Sequence, residues 1–293
     1  MWLEARLRAF AALARQGSFS RAAIELAISQ PAVSKHVARL EAEVGAPLVR
    51  RSQRGAVLTE EGRVLADYVL RAEALLAQGE RALRAVVGGE QGVLSLAASG
   101  NPGNYLLPPL VARFAAEHPG VEIQFTIGNS HDVESAVREH RVELGVVGGA
   151  SALAELESEP LLEDEIVLVG APDLGGRRLA RAQLERLLWI YREEGSSTRG
   201  IADEARRQLG VTIRRSLELP SWEAIKLAVA SGGAVGACSR YAVGLELRTG
   251  ALVELDVPRW RVRRIISIVS AREVPLTAPA RLFAELLRES LAD

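Results

Sequence analysis

The amino-acid sequence predicts an α/β protein with an α-rich winged helix-turn-helix head, one long connecting helix and a C-terminal α/β domain. Three observations predict it. Between positions 18 and 58, two short helical patterns meet at a two-residue turn and run into a small hairpin. From position 59, one apolar stripe keeps a helical period for about seven turns. From position 93 onward, short apolar strands alternate with amphipathic helices, the pattern of a sheet covered by helices on both faces.

The first helix spans 3–16, with Leu7, Phe10, Ala11, Leu13 and Ala14 facing inward and Gly17 closing it. Ser20 is expected to cap a second helix over 21–27, where Ala22 and Ala23 are small enough for another helix to cross closely. Ile28 and Ser29 make the turn. Ser29 then caps a third helix with Pro31 in its first turn, where a missing N–H costs nothing. Val33, Val37, Leu40 and Val44 recur at helical spacing and define its buried face. Gln30, Ser34, Lys35 and Arg39 are left outward, residue types that reach base edges and phosphates from a helix lying in a DNA major groove. Gly45 and Pro47 end the helix. Positions 50–55 form the tip of the hairpin, and Arg50, Arg51 and Arg54 there suit phosphates or a minor groove.

Thr59 caps the long helix, with Glu60 and Glu61 in the first turn, where the helix dipole favours negative charge. Its stripe includes Val64, Leu65, Tyr68, Val69, Leu75, Leu76 and Leu83. That is too long to bury against a three-helix head, so a second copy of the chain is the expected partner. Glycines at 88–92 make a hinge. Beyond it, strands are expected at 93–98, 121–127, 143–147, 165–170, 215–219, 234–238, 252–255 and 265–270, and the segment 184–189 leads into Tyr191. Helices are expected at 106–118, 131–140, 198–209, 222–231, 241–248 and 278–291, covering a parallel-rich sheet.

Three polar loops precede helices in this domain. The first holds Ser99, Gly100 and Asn101, the second Ser196, Ser197, Thr198 and Arg199, and the third Ser221 and Trp222. Asn129 stands at the end of a facing strand. Strand C-terminal ends that face helix N-termini bind anions, because free N–H groups and the helix dipole converge there. Arg199 adds a guanidinium able to pair bidentately with an oxyanion.

Composition narrows the function classes. The near-zero net charge of −1 hides an asymmetry: positions 1–58 carry nine basic side chains and four acidic ones, so the remainder is acidic. A basic head draws DNA to one end and makes affinity fall steeply with salt. The lone Cys238 has no internal disulfide partner and is expected in a buried strand, which suits a reducing compartment. With no long apolar run and no leader-like segment, a cytoplasmic location is expected, with no membrane partner. His36, His118, His131 and His140 lack partners at metal-ligand spacing, and no phosphate-loop, dinucleotide or nucleophile-elbow motif appears. No metal, cofactor or enzyme activity is therefore expected.

The head carries a longer motif: Phe10, Ser18-Phe19-Ser20, Ala22-Ala23, Leu26, Ser29-Gln30-Pro31-Ala32-Val33-Ser34, Leu40-Glu41, Gly45, Leu48, Arg51, Leu58-Thr59 and Gly62. In this it resembles the LysR-type transcriptional regulators almost residue for residue, departing at Val49, where that family usually has Phe. The resemblance implies a winged helix-turn-helix over 1–58, a dimerising linker helix over 59–87 and a hinge over 88–92. A two-lobed, periplasmic-binding-protein-like effector domain would follow, with lobe I at 93–164 plus 266–293 and lobe II at 165–265. It implies DNA contacts from Ser29, Gln30, Pro31, Ser34, Lys35, Arg39, Arg51 and Arg54, and dimers or tetramers on an interrupted palindrome, with RNA polymerase as a further partner. The effector would sit between the lobes, against the three loops and Asn129. The stretches at 192–199 and 223–236 are most similar to the branch that includes carbon-fixation and sulfur-assimilation regulators, whose effectors are small anions. The rival reading is an effector-independent architectural DNA-binding protein, which needs the head but no polar cleft.

Overall fold

The computed structural model describes residues 3–52, 55–88 and 92–291, and the chain divides into two compact units. In the first, α1 (Ala5–Gln16), α2 (Phe19–Leu26) and α3 (Gln30–Val44) close around Ala9, Leu13, Ala22, Ala23, Val33 and Val37, all buried. Ser18, not Ser20, caps α2: its hydroxyl accepts from the Arg21 N–H at 3.5 Å. The helix starts two residues earlier than expected because Phe19 packs on this core from the first turn. Val44 also departs from expectation. It is 49% exposed, because the last turn of α3 runs past the core of Phe10, Leu40 and Leu48.

The wing is an antiparallel pair, β1 (Val49–Ser52) and β2 (Gly55–Leu58), with Val49 opposite Leu58. Arg50 and Arg51 therefore belong to a strand rather than the tip. The Arg51 side chain and all of Arg54 lie outside the described residues. Glu41 ties the wing to α3, its carboxylate accepting from the Leu48 and Val49 N–H groups at 2.8 and 3.1 Å. Thr59 caps α4 (Glu60–Gly88), accepting from Gly62 N–H at 2.9 Å while donating to the Pro47 carbonyl at 2.7 Å. A Cβ on Gly62 would stand 2.0 Å from the Leu48 carbonyl oxygen, so only glycine fits there. The first turns of α4 bury Ala66 on the head with Leu65 and Leu70 packed beside it, while Val64, Tyr68, Leu75 and Leu83 stay exposed. Most of the expected hinge, residues 89–91, lies outside the described residues.

The second unit is built on one nine-stranded sheet. Its first half comprises β3 (Val93–Ser99), α5 (Leu107–Glu117), β4 (Glu122–Gly128), α6 (Ser130–Arg138) and β5 (Leu144–Gly148). The long β6 (Leu156–Gly170) then crosses to the second half, made of α7 (Arg181–Leu184), β7 (Leu188–Tyr191), α8 (Ser197–Gln208), β8 (Ser216–Glu218), α9 (Trp222–Ala230), β9 (Ala234–Ser239), α10 (Arg240–Thr249) and β10 (Val253–Glu254). β11 (Val262–Ala271) crosses back, and α11 (Ala278–Leu291) packs on the first half. The strand order is β4-β3-β5-β11-β6-β9-β7-β8, with β10 on β6.

The expected parallel pairing holds within each half, where β3 runs parallel to β4 and β5, and β7 to β8 and β9. The centre is antiparallel, because β6 and β11 carry the chain across and back. β6 also begins nine residues earlier than the expected position 165. Its leading stretch hides in sequence because Pro160 and four acids interrupt the apolar pattern. A bulge opposite Ile266 and Ser267 absorbs the proline, which has no N–H to give the ladder. One core gathers Leu94, Leu96, Phe114, Leu144, Ile266 and Phe283. In the second half Ile166 and Leu168 face a core around Trp189, and Val167 and Val169 face the opposite core with Cys238. Among the described residues no helix is long and apolar enough to cross a membrane.

Candidate functional site

On the head, the helix-turn-helix presents the start of α3. The Ser29 hydroxyl accepts from the Ala32 N–H at 3.3 Å, and Pro31 occupies the first turn. Ser20 donates to Gln30 Oε1 at 3.1 Å, fixing that amide with its N–H₂ outward. Gln30, Pro31, Lys35 and Arg39 are exposed and Ser34 half-buried; Pro31, Lys35 and Arg39 lie opposite the buried Val33 and Val37, with Gln30 and Ser34 at the flank. Neither Lys35 nor Arg39 is held in an ion pair among the described residues. The face is basic and carries both donors and acceptors, the chemistry that reads base edges.

In the second unit, four chain segments converge where strands end and helices begin. Ser99 ends β3, and Gly100 and Asn101 open a wide π-turn, Pro102–Leu106, that runs into α5. The sequence predicts a loop for this stretch. Its backbone is helical from the start, because β3 feeds directly into the turn. Asn129 caps α6, its Oδ1 accepting from the Asp132 N–H at 2.9 Å. Ser196 precedes α8 and Ser221 caps α9, accepting from the Ala224 N–H at 3.2 Å.

The structure brings Ser99, Gly100, Asn101, Asn129, Ser196, Ser197, Thr198 and Trp222 around one small chamber. It opens beside a larger cleft of about 510 Å³ that Ser221 also lines. Hydrogen bonds cross between the halves here. Asn101 Nδ2 donates to Thr198 Oγ1 at 3.1 Å and Tyr105 to Glu223 Oε1 at 3.0 Å, while within the first half the Gly148 N–H donates to Ser99 Oγ at 3.3 Å. Among the described residues lining the chamber, Trp222 Nε1 and Asn101 Oδ1 have no hydrogen-bond partner although both residues are almost wholly buried, and Ser130 Oγ is likewise without one. An indole N–H left unpaired away from water is costly, and a bound acceptor removes that cost.

Arg199 is not part of this group. Its Nη1 donates to the Arg192 carbonyl at 3.0 Å and to Glu218 at 2.6 Å, and the guanidinium lies 6.0 Å from the Tyr191 ring centroid. The first turn of α8 sends Ser197 and Thr198 inward, and Arg199 follows on the other side of the helix. Two other arginines line the chamber. Arg192 is buried, its Nε and Nη2 donating to Glu193 at 2.7 Å, with its guanidinium 5.2 Å from the Trp222 ring centroid. A Cβ on Gly100 would lie 2.6 Å from Arg192 Nη1 and 3.3 Å from Trp222 Nε1, so glycine keeps both donors uncovered.

Arg264 stands opposite Asp164 across β11 and β6, donating from Nε to Asp164 Oδ2 at 2.8 Å. Its Nη1 donates to Ser197 Oγ and Thr198 Oγ1 at 3.0 and 2.8 Å. Burial lowers the proton affinity of this guanidinium, and Asp164 works against that shift. A sequence signal existed for both arginines. Arg192 directly follows a strand end, as the three polar loops do. Arg264 breaks the apolar alternation of Val262 and Ile266 with an inward charge.

At the outer cleft, Tyr105 donates to Glu223 Oε1 at 3.0 Å, and the Lys226 ammonium contacts the same carboxylate at 2.6 Å. The Lys226 hydrogen bond holds Glu223 below the usual carboxylate range. Burial opposes the charge on Lys226, but hydrogen bonds to Glu223 and Glu246 outweigh it and raise its proton affinity. Among the described residues no cluster of His, Cys, Asp and Glu could hold a metal ion.

Both parts of the chain are similar to known proteins. Residues 5–63 match the bacterial regulatory helix-turn-helix protein of the LysR family, and residues 88–292 match the LysR substrate binding domain. The chain is 35% identical over 282 residues to an HTH-type transcriptional regulator of Escherichia coli K12, YeiE, covering 96% of this chain and 95% of that one. It is 34% identical over 290 residues to the RuBisCO operon transcriptional regulator of Allochromatium vinosum, covering 98% and 96%. The second unit is similar to the regulatory domain of Synechocystis PCC6803 CcmR solved in complex with 2-PG, at 25% identity and a TM-score of 0.63, covering 69% of this chain and 98% of that domain. The chain belongs to the LysR family of transcriptional regulators, pairing a DNA-binding head with an effector-binding domain and acting as a regulator rather than an enzyme.

Proposed function

We propose that this regulator reads promoter DNA with Ser29, Gln30, Pro31, Ser34, Lys35 and Arg39 in the major groove and with wing arginines Arg51 and Arg54 on phosphates or the minor groove. A small anionic effector held between the two halves of the second unit controls that binding. The halves correspond to lobe I at 93–164 plus 266–293 and lobe II at 165–265. Copies pair through the exposed stripe of α4 into dimers or tetramers, and the DNA-bound assembly meets RNA polymerase in the cytoplasm.

One observation carries the effector reading: the unpartnered Trp222 N–H and the Arg192 guanidinium flank Gly100 in a chamber whose lining holds no carboxylate. The anion donors are Trp222, Arg192 and the hydroxyls of Ser99, Ser196, Ser197 and Thr198, with Arg199 outside. The complex of CcmR with 2-PG supports a small-molecule occupant for this kind of domain. Thermal-shift measurements on the full chain test the reading, using sulfate, sulfite, phosphate, phosphate esters, sulfonates and small carboxylates. An anion at a hundredfold over its Kd stabilises a one-site protein by about 2.7 kcal/mol. A shift in the full chain that is abolished by Arg192→Ala supports the site. A flat panel favours an effector-independent architectural DNA binder.

A further inference from the structure

The cleft has two compartments of opposite electrostatic character. The inner chamber is lined by hydroxyls, amides and the guanidinium groups of Arg192 and Arg264, with no carboxylate among its lining residues. It is tight, about 10 Å³, room for one water-sized group such as a terminal oxygen of an oxyanion. The outer cleft, about 510 Å³, is lined by Asp132, Glu193 and Glu223 against Arg192; Glu223 is also paired with Lys226 at 2.6 Å, so Asp132 is the acid of this lining without an ion pair among the described residues. Glu193 already holds two of the nitrogens of that arginine. Gly100, Asn129, Arg192 and Trp222 line both compartments and form the threshold between them.

A ligand seated here points one end at donors and the other at acids. Charges of like sign a few ångströms apart in a partly desolvated cleft repel strongly, so a second anionic group in the outer cleft opposes binding. We infer that the effector of this chain carries one compact anionic head, held at the Trp222–Arg192 threshold, and a remainder that is uncharged or cationic. Effectors with a second negative group, such as bisphosphates, phosphocarboxylates and dicarboxylates, are discriminated against. This rests on the reading of the cleft as an anion site and adds the chemistry of the other end.

Isothermal titration on the full chain at fixed ionic strength tests it with ligands matched in head and size. Glycerol 3-phosphate has a neutral tail, O-phosphoethanolamine a cationic tail and 3-phosphoglycerate an anionic one; taurine and sulfoacetate repeat the contrast for a sulfonate head, with inorganic sulfate and phosphate as bare heads. The ligands with neutral or cationic tails are expected to bind at least tenfold more tightly than their anionic-tailed counterparts. Asp132→Asn, at an exposed position, is expected to narrow that gap at least threefold, and Glu223→Gln provides a second removal of charge. Equal or tighter binding of the anionic-tailed ligands overturns the inference while leaving the anion site intact. No binding by any ligand overturns the anion site itself. A gap unchanged in both variants removes the outer acids as its cause and overturns the inference as well.

Discussion

At Trp222 a buried indole N–H has no acceptor, and Gly100 keeps the space beside it clear. A hydrogen bond to a charged acceptor is worth about 1.5–3 kcal/mol. Trp222→Phe, which keeps most of the ring and removes the donor, is therefore expected to weaken the anion by about ten- to a hundredfold while leaving the melting temperature of the free protein nearly unchanged. Titration calorimetry and a thermal melt check the two halves of that statement. Asp164 makes a different prediction. It neutralises the buried Arg264 and accepts from Ser239 at 2.8 Å, so Asp164→Ala leaves a buried cation alone and is expected to cost about 3–5 kcal/mol in denaturant unfolding. Cys238 is wholly buried, and burial pushes its thiol up to about 12. It is expected to resist thiol reagents at pH 8 until the protein unfolds. The burial of Cys238 was legible in sequence, because a lone cysteine amid small and apolar residues suits an interior strand. The place of Arg199 was not: one helical position decides whether a side chain enters the chamber, and spacing alone did not fix the rotation of α8.

Among the elements, α4 shows how much a pattern reveals. Its stripe divides in two, Leu65 and Ala66 facing the head and Val64, Tyr68 and Leu75 left uncovered. The sequence displayed the apolar period but not this division, which depends on where the head packs. Tyr68→Glu together with Leu75→Glu is expected to reduce the assembly toward monomers in sedimentation velocity without unfolding the head; an unchanged assembly would place the interface elsewhere. At the start of the same helix, Gly62→Ala drives a Cβ into the Leu48 carbonyl and is expected to cost about 1–3 kcal/mol by denaturant unfolding. The helix-turn-helix was legible nearly to the residue because caps, a proline and a glycine punctuate it. β6 was legible only in its apolar C-terminal part. Its first turn of register depends on pairing with β11, and a long-range partner leaves no local trace.

Across the whole molecule, the sequence displayed a basic DNA-reading head and a βα-rich body, while the chemistry of the cleft emerged only when segments nearly a hundred residues apart met. Asn101 and Thr198 are one such pair, Arg264 and Asp164 another. Glu223, held by Lys226 and by the Tyr105 hydroxyl from the other half, adds a pH dependence. Glu223 titrates below its ordinary value of 4.5, so the stability it contributes is present above that pH and is lost as the pH falls through its lowered value. Acid titration of Glu223→Gln, followed by melting temperature, is expected to show a shallower decline below pH 4.5 than the unaltered protein.

The central claim is that an anion in the cleft governs the grip of the head on DNA. The most direct test is fluorescence anisotropy of a labelled promoter fragment titrated with the full chain, with and without the tightest-binding anion, alongside Trp222→Phe. An anion-dependent change in DNA affinity of at least threefold is expected for the unaltered protein. At the same anion concentration Trp222→Phe should show none, with its DNA affinity in the absence of anion unchanged. An equal response from both proteins would contradict the placement of the anion, and no response from either would contradict the coupling of cleft to head.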